Sequence, residues 1–598
     1  MNSKRLDGAL YENDYVETIK EIITGTAQRC ADKPAYMYKD VSGEPFCSIT
    51  YGEFKSHMDE LGTALTDMGF KGGKISVAGE NSHRWVMVYF ATVCGVGTIV
   101  PLDKNLKIGE IVNLMNRAEI DIIFVSPKMA DKVIEVFGKV GSLRKMVIMD
   151  SPFDDISRWE DYPEVTSLSE LLQRGRELLD GGDRRYVDVS PEPGDLSTIL
   201  FTSGTTGAAK GVMLSHMNLT QNVFNMSKYF NLPNDGELPA RVLSVLPMHH
   251  AYEMTCTVMT GFYQGATIVI CEGLKYLQKN FVEAGCATML GVPLIFENIY
   301  KKIWKKAEKT GQAAALRRAL AISKKLNLRN RPIVTRRMFK AVHSVFGSDI
   351  YCLIAGGAAI DPKVIVDFEA MGIPMIQGYG MTENAPIIAV NQDRYGKAAS
   401  VGRPMPGTEV RVVGKDAAGI GEIICKGPSV MMGYYKDPEN TAETIKDGWL
   451  YTGDYGYIDE DNFIYITGRK KNVIVTKGGK NIFPEEVEYY LLLSENVAEA
   501  MVYGKLDPAR DDQICTAMIY PNFTILKEQG ISEPRQIYAA IKKAVSEANA
   551  KMTPYKRVKR IEIRDEDFIK TTTLKIKRFE KSNFGYVYCD RDFEKRRY

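Results

Sequence analysis

TILFTSGTTGAAKG, Thr198 to Gly211, joins a short apolar run to a loop made of glycines, hydroxyls and one lysine. Thr198–Phe201 has the length and apolar content of a buried strand. Gly204 and Gly207 let the chain turn tightly and bring backbone N–H groups close to a ligand. Thr202, Ser203, Thr205 and Thr206 add hydroxyl donors, and Lys210 adds a fixed positive charge. Such a set suits a polyphosphate. The kinase-type phosphate loop needs Gly-Lys-Ser/Thr, and it fails here because Ala209 precedes Lys210 and Gly211 follows it. A polar loop without a ligand is the other reading of the segment alone.

Working outward, short apolar strands alternate with helical patterns. Tyr51–Met68 carries Phe54, Met58, Leu61 and Leu65 at helical spacing, and Trp85–Val96 reads as a buried helix. Strands are expected at 74–79, 98–102, 120–125 and 146–149, and a hairpin around Ser42-Gly43. Residues 151–195 are acidic and read as an irregular surface connection. A second α/β series runs from Ile199 to about Gln377, followed after Asn391 by short alternating strands. The fold class expected is α/β: a large N-terminal domain (1–470) of two doubly wound α/β subdomains plus a small β-rich subdomain, then a small mobile α/β C-terminal domain (471–598). Ligands of such sheets bind beyond the strand carboxyl ends, where the Thr202–Gly211 loop falls.

Length and composition agree. A chain of 598 residues exceeds one core. At 45% apolar, 25% charged and net +2 it is neither disordered nor dominated by one sign of charge, so no nucleic-acid partner is expected. No apolar run approaches the roughly 18 residues of a membrane span, and the first residues lack a signal-peptide core. Ten scattered cysteines without a CxxC pair suggest buried thiols in a reducing compartment. The expectation is a cytoplasmic enzyme.

Six further stretches carry chemistry. LPMHHAYE, Leu246–Glu253, sets His249 and His250 after a strand. His249 reads as structural, while His250 beside Tyr252 suits a substrate channel, and neither has zinc-ligand spacing. AGGAAI, with Gly356, Gly357 and Ala358, permits close approach of a flat ring, or merely a tight turn. QGYGMTE groups Tyr379, Gly380, Thr382 and Glu383, whose carboxylate suits Mg²⁺ near phosphates but is equally an ordinary solvated acid. YTGDYG places Asp454, an acceptor for both hydroxyls of a ribose or a structural turn residue, fifteen residues before Arg469 of GRKKN. KTTTLKIKR surrounds Lys575 with cations, which alone makes it a basic surface strand.

Together and in this order, these motifs resemble those of the adenylate-forming enzymes over about residues 50–590. The LPMHHAYE form, TKGGKNIFPEEVE at Thr476–Glu488 and Leu574 before Lys575 are most similar to bacterial long-chain fatty-acid–CoA ligases. The resemblance implies activation of a carboxylate by ATP to an acyl-adenylate with release of pyrophosphate, then transfer to CoA. It implies that Thr202–Gly207 cradle the β/γ-phosphates beside Lys210, Glu383 holds Mg²⁺, and Gly356–Ala358, Tyr379 and Gly380 frame adenine. Thr382 would contact the α-phosphate, Asp454 and Arg469 the ribose, and Lys575 the developing charge. His250 is assigned to the acyl or thiol channel by position. Lys471 would be the hinge of a C-terminal domain that presents Lys575 in one half-reaction and Lys477-Gly478-Gly479 to CoA in the other. Leu574 departs from the commoner glycine but leaves Lys575 in register.

The competing functions are an acyl-AMP ligase that loads a carrier-protein phosphopantetheine, a ligase of shorter or aryl acids, and a non-catalytic nucleotide-binding relative. Uninterrupted sequence from Asp454 to Gly468 favours CoA over the first, and the presence of both Lys575 and Glu383 disfavours the last. Charge supplies one more expectation. Residues 301–340 hold 14 Lys/Arg against one acid, Glu308, a net +13 that leaves the rest of the chain at −11. Tyr300, Ile303, Trp304 and Ala307 form an apolar stripe with lysines opposite. This is either a solvated face or a surface for peripheral contact with the inner, anionic face of a membrane.

Overall fold

The structure is a computed structural model that describes residues 10–593 except 160, 203–208, 234–238, 348, 394, 478–479, 508–511 and 572–574. Its compact units, by internal packing, are one whose described residues fall within 10–202, 209–409 and 425–450, and a second whose described residues fall within 410–424 and 451–593.

Two sheets form the first unit. One has eight strands, in spatial order Gly433–Tyr434, Lys210–Ser215, Leu196–Thr202, Thr98–Leu102, Lys74–Ala78, Ile122–Val125, Lys145–Ile148 and Val165–Ser167. The other has nine, from Arg403–Pro404 through Ile387–Val390, Met375–Gly380, Cys352–Ala355, Thr288–Gly291, Arg241–Ser244, Thr267–Ile270 and Pro34–Tyr38 to Cys47–Thr50. Their central pairings are parallel, and their centres are apolar on both faces, as helix-covered parallel sheets require. The edges are antiparallel: Leu196–Thr202 forms a hairpin with Lys210–Ser215, and Met375–Gly380 folds back on Ile387–Val390. The α/β expectation therefore holds, with antiparallel hairpins at these edges, where the short connections leave no room for a crossover helix.

Local signals act where expected. Helix Tyr51–Asp67 starts at a capping box: Thr50 Oγ1 accepts from Glu53 N, and Glu53 Oε2 accepts from Thr50 N at 2.8 Å. The hairpin around Ser42-Gly43 is formed by Pro34–Tyr38 and Cys47–Thr50. The helix His83–Ala91 continues as a π-helical turn, Thr92–Val96.

Residues 151–195 are not an irregular connection. They hold the strand Val165–Ser167 and the helix Leu168–Asp180, capped by Ser167 and Glu170. Leu168, Leu171 and Gly175 are buried and Leu172 packs beside them, while the opposite face carries the charges, so the acidic composition masks an amphipathic helix. Gly175 comes so near Glu60 that a β-carbon there would lie 1.8 Å from the Glu60 carbonyl oxygen. Tyr186, fully enclosed, packs against Gly62 and Gly95 and donates to Ala91 O.

In the second unit, Val497–Asp507, Asp512–Pro521, Arg560–Ile563 and Tyr588–Cys589 form a four-stranded sheet. Helices Pro484–Leu492 and Pro534–Ala550 enclose a core of Val487, Leu491, Val502, Ala517, Ile519 and Ile541. Among the described residues no helix is long and apolar enough to cross a membrane.

Candidate functional site

In the first unit the strands that flank the Gly/Thr loop in sequence, Leu196–Thr202 and Lys210–Ser215, are antiparallel partners. Ser203, Gly204, Thr205, Thr206 and Gly207 lie outside the described residues; the flanks Thr202 and Lys210 are Cα partners. Lys210 belongs to the strand that pairs with Gly433–Tyr434, and its ammonium sits 4.8 Å from the centre of the Tyr434 ring and donates to Asn440 Oδ1. The Tyr434 hydroxyl donates to Glu383 Oε1 at 2.9 Å, and the Glu383 carbonyl accepts from Met431 N. Burial, then Glu383, pushes the Tyr434 phenol up, so it stays a proton donor. The lysine expected for phosphate and the carboxylate expected for Mg²⁺ therefore meet through one phenol, although Lys210 and Glu383 lie 173 residues apart in sequence and Tyr434 a further 51 beyond Glu383.

Thr382–Asn384 form a short 3-10 turn that is held from behind: Asn222 Nδ2 donates to the carbonyls of Asn384 and Ile387. Gly380, just before it, lies where a β-carbon would come 2.0 Å from Pro386 O. Tyr379 and Thr382 are part-buried at the carboxyl end of the strand Met375–Gly380. Just beyond the neighbouring strand, Cys352–Ala355, Gly356 is buried against Tyr252, its would-be β-carbon 2.6 Å from the tyrosine hydroxyl, whereas Gly357 (φ 80°) and Ala358 are exposed. The AGGAAI stretch thus combines both readings, a turn at Gly357 and a close approach at Gly356. Gln377 Oε1 and the Tyr252 hydroxyl are buried without a hydrogen-bond partner among the described residues, which fits a polar ligand arriving at this end of the sheet.

No group of three or more His, Cys, Asp or Glu side chains able to hold a metal occurs among the described residues. Glu383 alone fits Mg²⁺ chemistry, because that ion keeps several waters and takes one or two carboxylates plus substrate phosphates.

His249 is enclosed, its ring 4.1 Å from that of His250 and its Nε2 3.8 Å from Asp103 Oδ2. Burial lowers its pKa to about 4, so it is neutral at physiological pH. His250 is part-buried, and its N–H donates to Pro247 O.

In the second unit Asp454 and Arg469 are directly opposed in an antiparallel hairpin, with Arg469 Nε 2.8 Å from Asp454 Oδ1. Asp454 is buried and Arg469 exposed. Lys575 joins them. The residue is exposed, yet its ammonium is held below the usual lysine range, first by desolvation and then by Arg469, with Asp454 opposing. Lys471 lies in the 3-10 turn Lys470–Asn472, whose neighbour Lys470 is tied to Glu422 at 2.6 Å. Lys477 is exposed, its N–H donating to Asp512 Oδ1 at 2.6 Å, while Gly478, Gly479 and Leu574 lie outside the described residues.

The sequence profile of the AMP-binding enzymes matches residues 23–435, more than half of the chain. The chain belongs to this family. Human long-chain-fatty-acid–CoA ligase 1 is 29% identical over 589 residues, covering 90% of this chain and 82% of that protein. Long-chain-fatty-acid–CoA ligase FadD15 of Mycobacterium bovis is 26% identical over 580 residues, 92% of each chain. Among solved structures, the anthranilate CoA ligase AuaEII in complex with anthranoyl-AMP superposes with a TM-score of 0.72 at 20% identity, covering 97% of this chain and 98% of that one. ATP-bound MatB from Rhodopseudomonas palustris gives 0.70 at 22% identity, over 93% and 97%. These two likenesses establish the shared fold.

Tyr434 and Asn440 escaped the sequence reading of this AMP-binding enzyme. Their only signal, GYYKDPEN at 433–440, is a turn-rich stretch without chemistry of its own. Glu253 of the HHAYE motif was also passed over. It is wholly enclosed, and burial raises its carboxyl to about 8 against hydrogen bonds from Ser244 Oγ, Thr257 Oγ1 and the Val245 and Leu246 N–H groups. Below its ordinary value of 4.5 the group is protonated in both folded and unfolded chains. As pH rises towards about 8 only the unfolded chain gains by ionising, so this residue removes a few kcal/mol of stability across that window. Glu253→Gln should flatten the stability profile between those pH values. A parent and variant whose denaturation midpoints fall in parallel would show that Glu253 is folded in as a carboxylate.

Proposed function

We propose that this AMP-binding enzyme activates a long-chain fatty acid with ATP and transfers the acyl group to CoA. The observation that carries the reading is the Lys210–Tyr434–Glu383 cluster at the flank of the Gly/Thr loop, in a chain of this family. The nature of the acid is supported by the printed functions of the two curated relatives above. An apolar cavity in the first unit, lined among others by Met226, Phe230, Leu232, Val242, Tyr252 and Cys256, supplies a surface for an alkyl chain.

In the first half-reaction a carboxylate oxygen attacks the α-phosphorus, and pyrophosphate leaves with the electrons of the broken P–O bond. Lys210 and the loop hydroxyls take the β/γ-phosphates, Thr382 the α-phosphate, and Gly356–Ala358 with Tyr379 and Gly380 the adenine. Asp454, oriented by Arg469, accepts from the ribose hydroxyls. Glu383 would hold Mg²⁺, which when bound neutralises phosphate charge. Lys575 stabilises the charge that builds up in the transition state. Little covalent chemistry is asked of the protein, so positioned cations and donors account for most of the barrier reduction. In the second half-reaction the CoA thiolate attacks the acyl carbonyl and AMP leaves, with Lys477-Gly478-Gly479 assigned to CoA and His250 to the channel.

ATP–pyrophosphate exchange over acids of increasing chain length, followed by a CoA-dependent thioester assay, tests the whole. Exchange should rise with chain length. Preference for aryl or short acids would overturn the substrate, and thioester formation on a carrier phosphopantetheine but not on CoA would overturn the acceptor.

The functional boundary is placed at 470/471, with Lys471 as pivot of the mobile portion 471–598. Proline at 471 restricts φ to about −65° without removing any assigned substrate contact. Lys471→Pro should keep adenylate formation within a few-fold while CoA transfer falls roughly tenfold or more, of the order expected when an assembly step fails. Wild-type overall turnover in that variant would count against a pivot here. A fatty acid partitions into lipid, and the tract 301–340 is the proposed point of peripheral membrane contact.

A further inference from the structure

The tract is built from the second half of the helix Pro293–Lys309, the helix Ala313–Lys325, a 3-10 turn at Leu328–Asn330 and the helix Pro332–Met338. Its inward side is accounted for. Ile303, Ala307, Leu320 and Phe339 join the core, Ser323 Oγ donates to Ala370 O, and Thr335 is buried. The Tyr300–Ala307 stripe therefore packs on its own domain.

The outward side is not simply polar. Ile322, Leu326, Ile333, Val334 and Met338 project from it, with Ile333 73% and Leu326 62% exposed. Interleaved with them are Arg318, Lys325, Arg331, Arg336 and Arg337, all exposed and none in an ion pair among the described residues. The cations that are paired, Arg317, Lys324 and Arg329, use Glu308, Asp367 and Glu369. Exposed aliphatics surrounded by surplus positive charge have one environment that satisfies both, the headgroup boundary of an anionic bilayer. A nucleic acid would match the charge, but it calls for aromatic platforms, and the projecting side chains here are aliphatic.

We infer that residues 318–338 form an interfacial membrane-docking face in which Ile322, Leu326, Ile333, Val334 and Met338 enter the headgroup region while Arg318, Lys325, Arg331, Arg336 and Arg337 engage anionic lipid. This deepens the membrane contact proposed above and stands apart from the identity of the acyl substrate. Each cation near such a surface is worth about fivefold in partitioning, and it is screened by salt. Burial of the aliphatic side chains adds a part that salt does not remove.

The full chain is sedimented with vesicles of phosphatidylcholine alone or mixed with phosphatidylglycerol, at low and high ionic strength. Binding to the mixed vesicles should fall about tenfold or more at high salt but not vanish. Ile333→Asp with Val334→Asp should lower binding about a hundredfold at both salt levels. Arg336→Gln with Arg337→Gln should lower it about tenfold or more at low salt and little at high salt. Both variants should keep the parental rate of acyl-adenylate formation on detergent-dispersed acid, which reports folding and the catalytic reading independently of lipid. Equal binding to neutral vesicles, no binding at all, or insensitivity to both double variants would overturn the docking face. Tighter retention on single- or double-stranded nucleic acid than on mixed vesicles at the same salt would overturn the choice of partner.

Discussion

Lys575→Ala should lose a factor of about 10²–10³ or more in acyl-adenylate formation, the usual cost of removing one positioned donor to a transition state. Thioester formation from supplied acyl-adenylate should stay close to the parental rate. The asymmetry follows from the proposed role. In the first step negative charge builds on the transferring phosphoryl group as pyrophosphate departs, and a positioned ammonium lowers that barrier. In the second step the leaving group is AMP and the electrophile a carbonyl, for which this lysine is assigned no contact. Within its own unit Lys575 already sits in the field of Arg469 and Asp454, the opposed pair that is assigned the ribose. ATP–pyrophosphate exchange reads the first step, and single-turnover transfer to CoA reads the second. Equal losses in both would refute the division of labour.

Gly380→Ala should be far more damaging than Gly378→Ala, although both glycines lie in the strand Met375–Gly380. At Gly378 a β-carbon meets Val390 Cγ2 at 3.4 Å, an ordinary contact, and activity should remain within a few-fold. At Gly380 it would lie 2.0 Å from Pro386 O and 2.9 Å from Ile387 Cα, both backbone atoms that a rotamer change cannot move. The turn has to open, carrying Tyr379 on one side and Thr382 and Glu383 on the other. Overpacking of this kind costs about 1–3 kcal/mol, occasionally more. A shift of about 1 Å in positioned groups costs on the order of 10²-fold in rate. Thermal denaturation with pyrophosphate exchange on both variants decides the matter. Matching behaviour of the two would mean the turn relaxes and the close approach is not what this position requires.

The basic tract and the 151–195 segment show how charge misleads and informs. In 151–195 the acidic composition points to a surface connection, although Leu168, Leu171, Leu172, Leu178 and Leu179 recur at helical spacing and Leu168, Leu171 and Leu172 pack inward. In 301–340 the surplus of cations was plain, and the stripe Tyr300–Ala307 was found on the buried side. The aliphatics left outside were not, because periodicity identifies a face without saying whether a neighbouring element covers it.

By itself the sequence determined the class of the fold, the strand that leads into the Gly/Thr loop, most strand and helix positions, and the order of the motifs. These are local properties, set by apolar periodicity, caps and turn residues within about ten residues of chain. It also identified Lys210, Glu383, Asp454 and Arg469 one at a time, each with a bland alternative. Only the tertiary structure decided which of them meet. Pairing of Gly433–Tyr434 with the Lys210 strand places one phenol between Lys210 and Glu383, and the register of the 449–469 hairpin sets Arg469 against Asp454 rather than a residue either side. It also decided why Gly380 is glycine: not for flexibility, but because the carbonyl of Pro386, brought back by the turn, occupies the space of its missing β-carbon. Those strand registers depend on partners 15 to more than 200 residues away, and the close approach at Gly380 on a chain that folds back on itself six residues later, so apolar periodicity encodes neither.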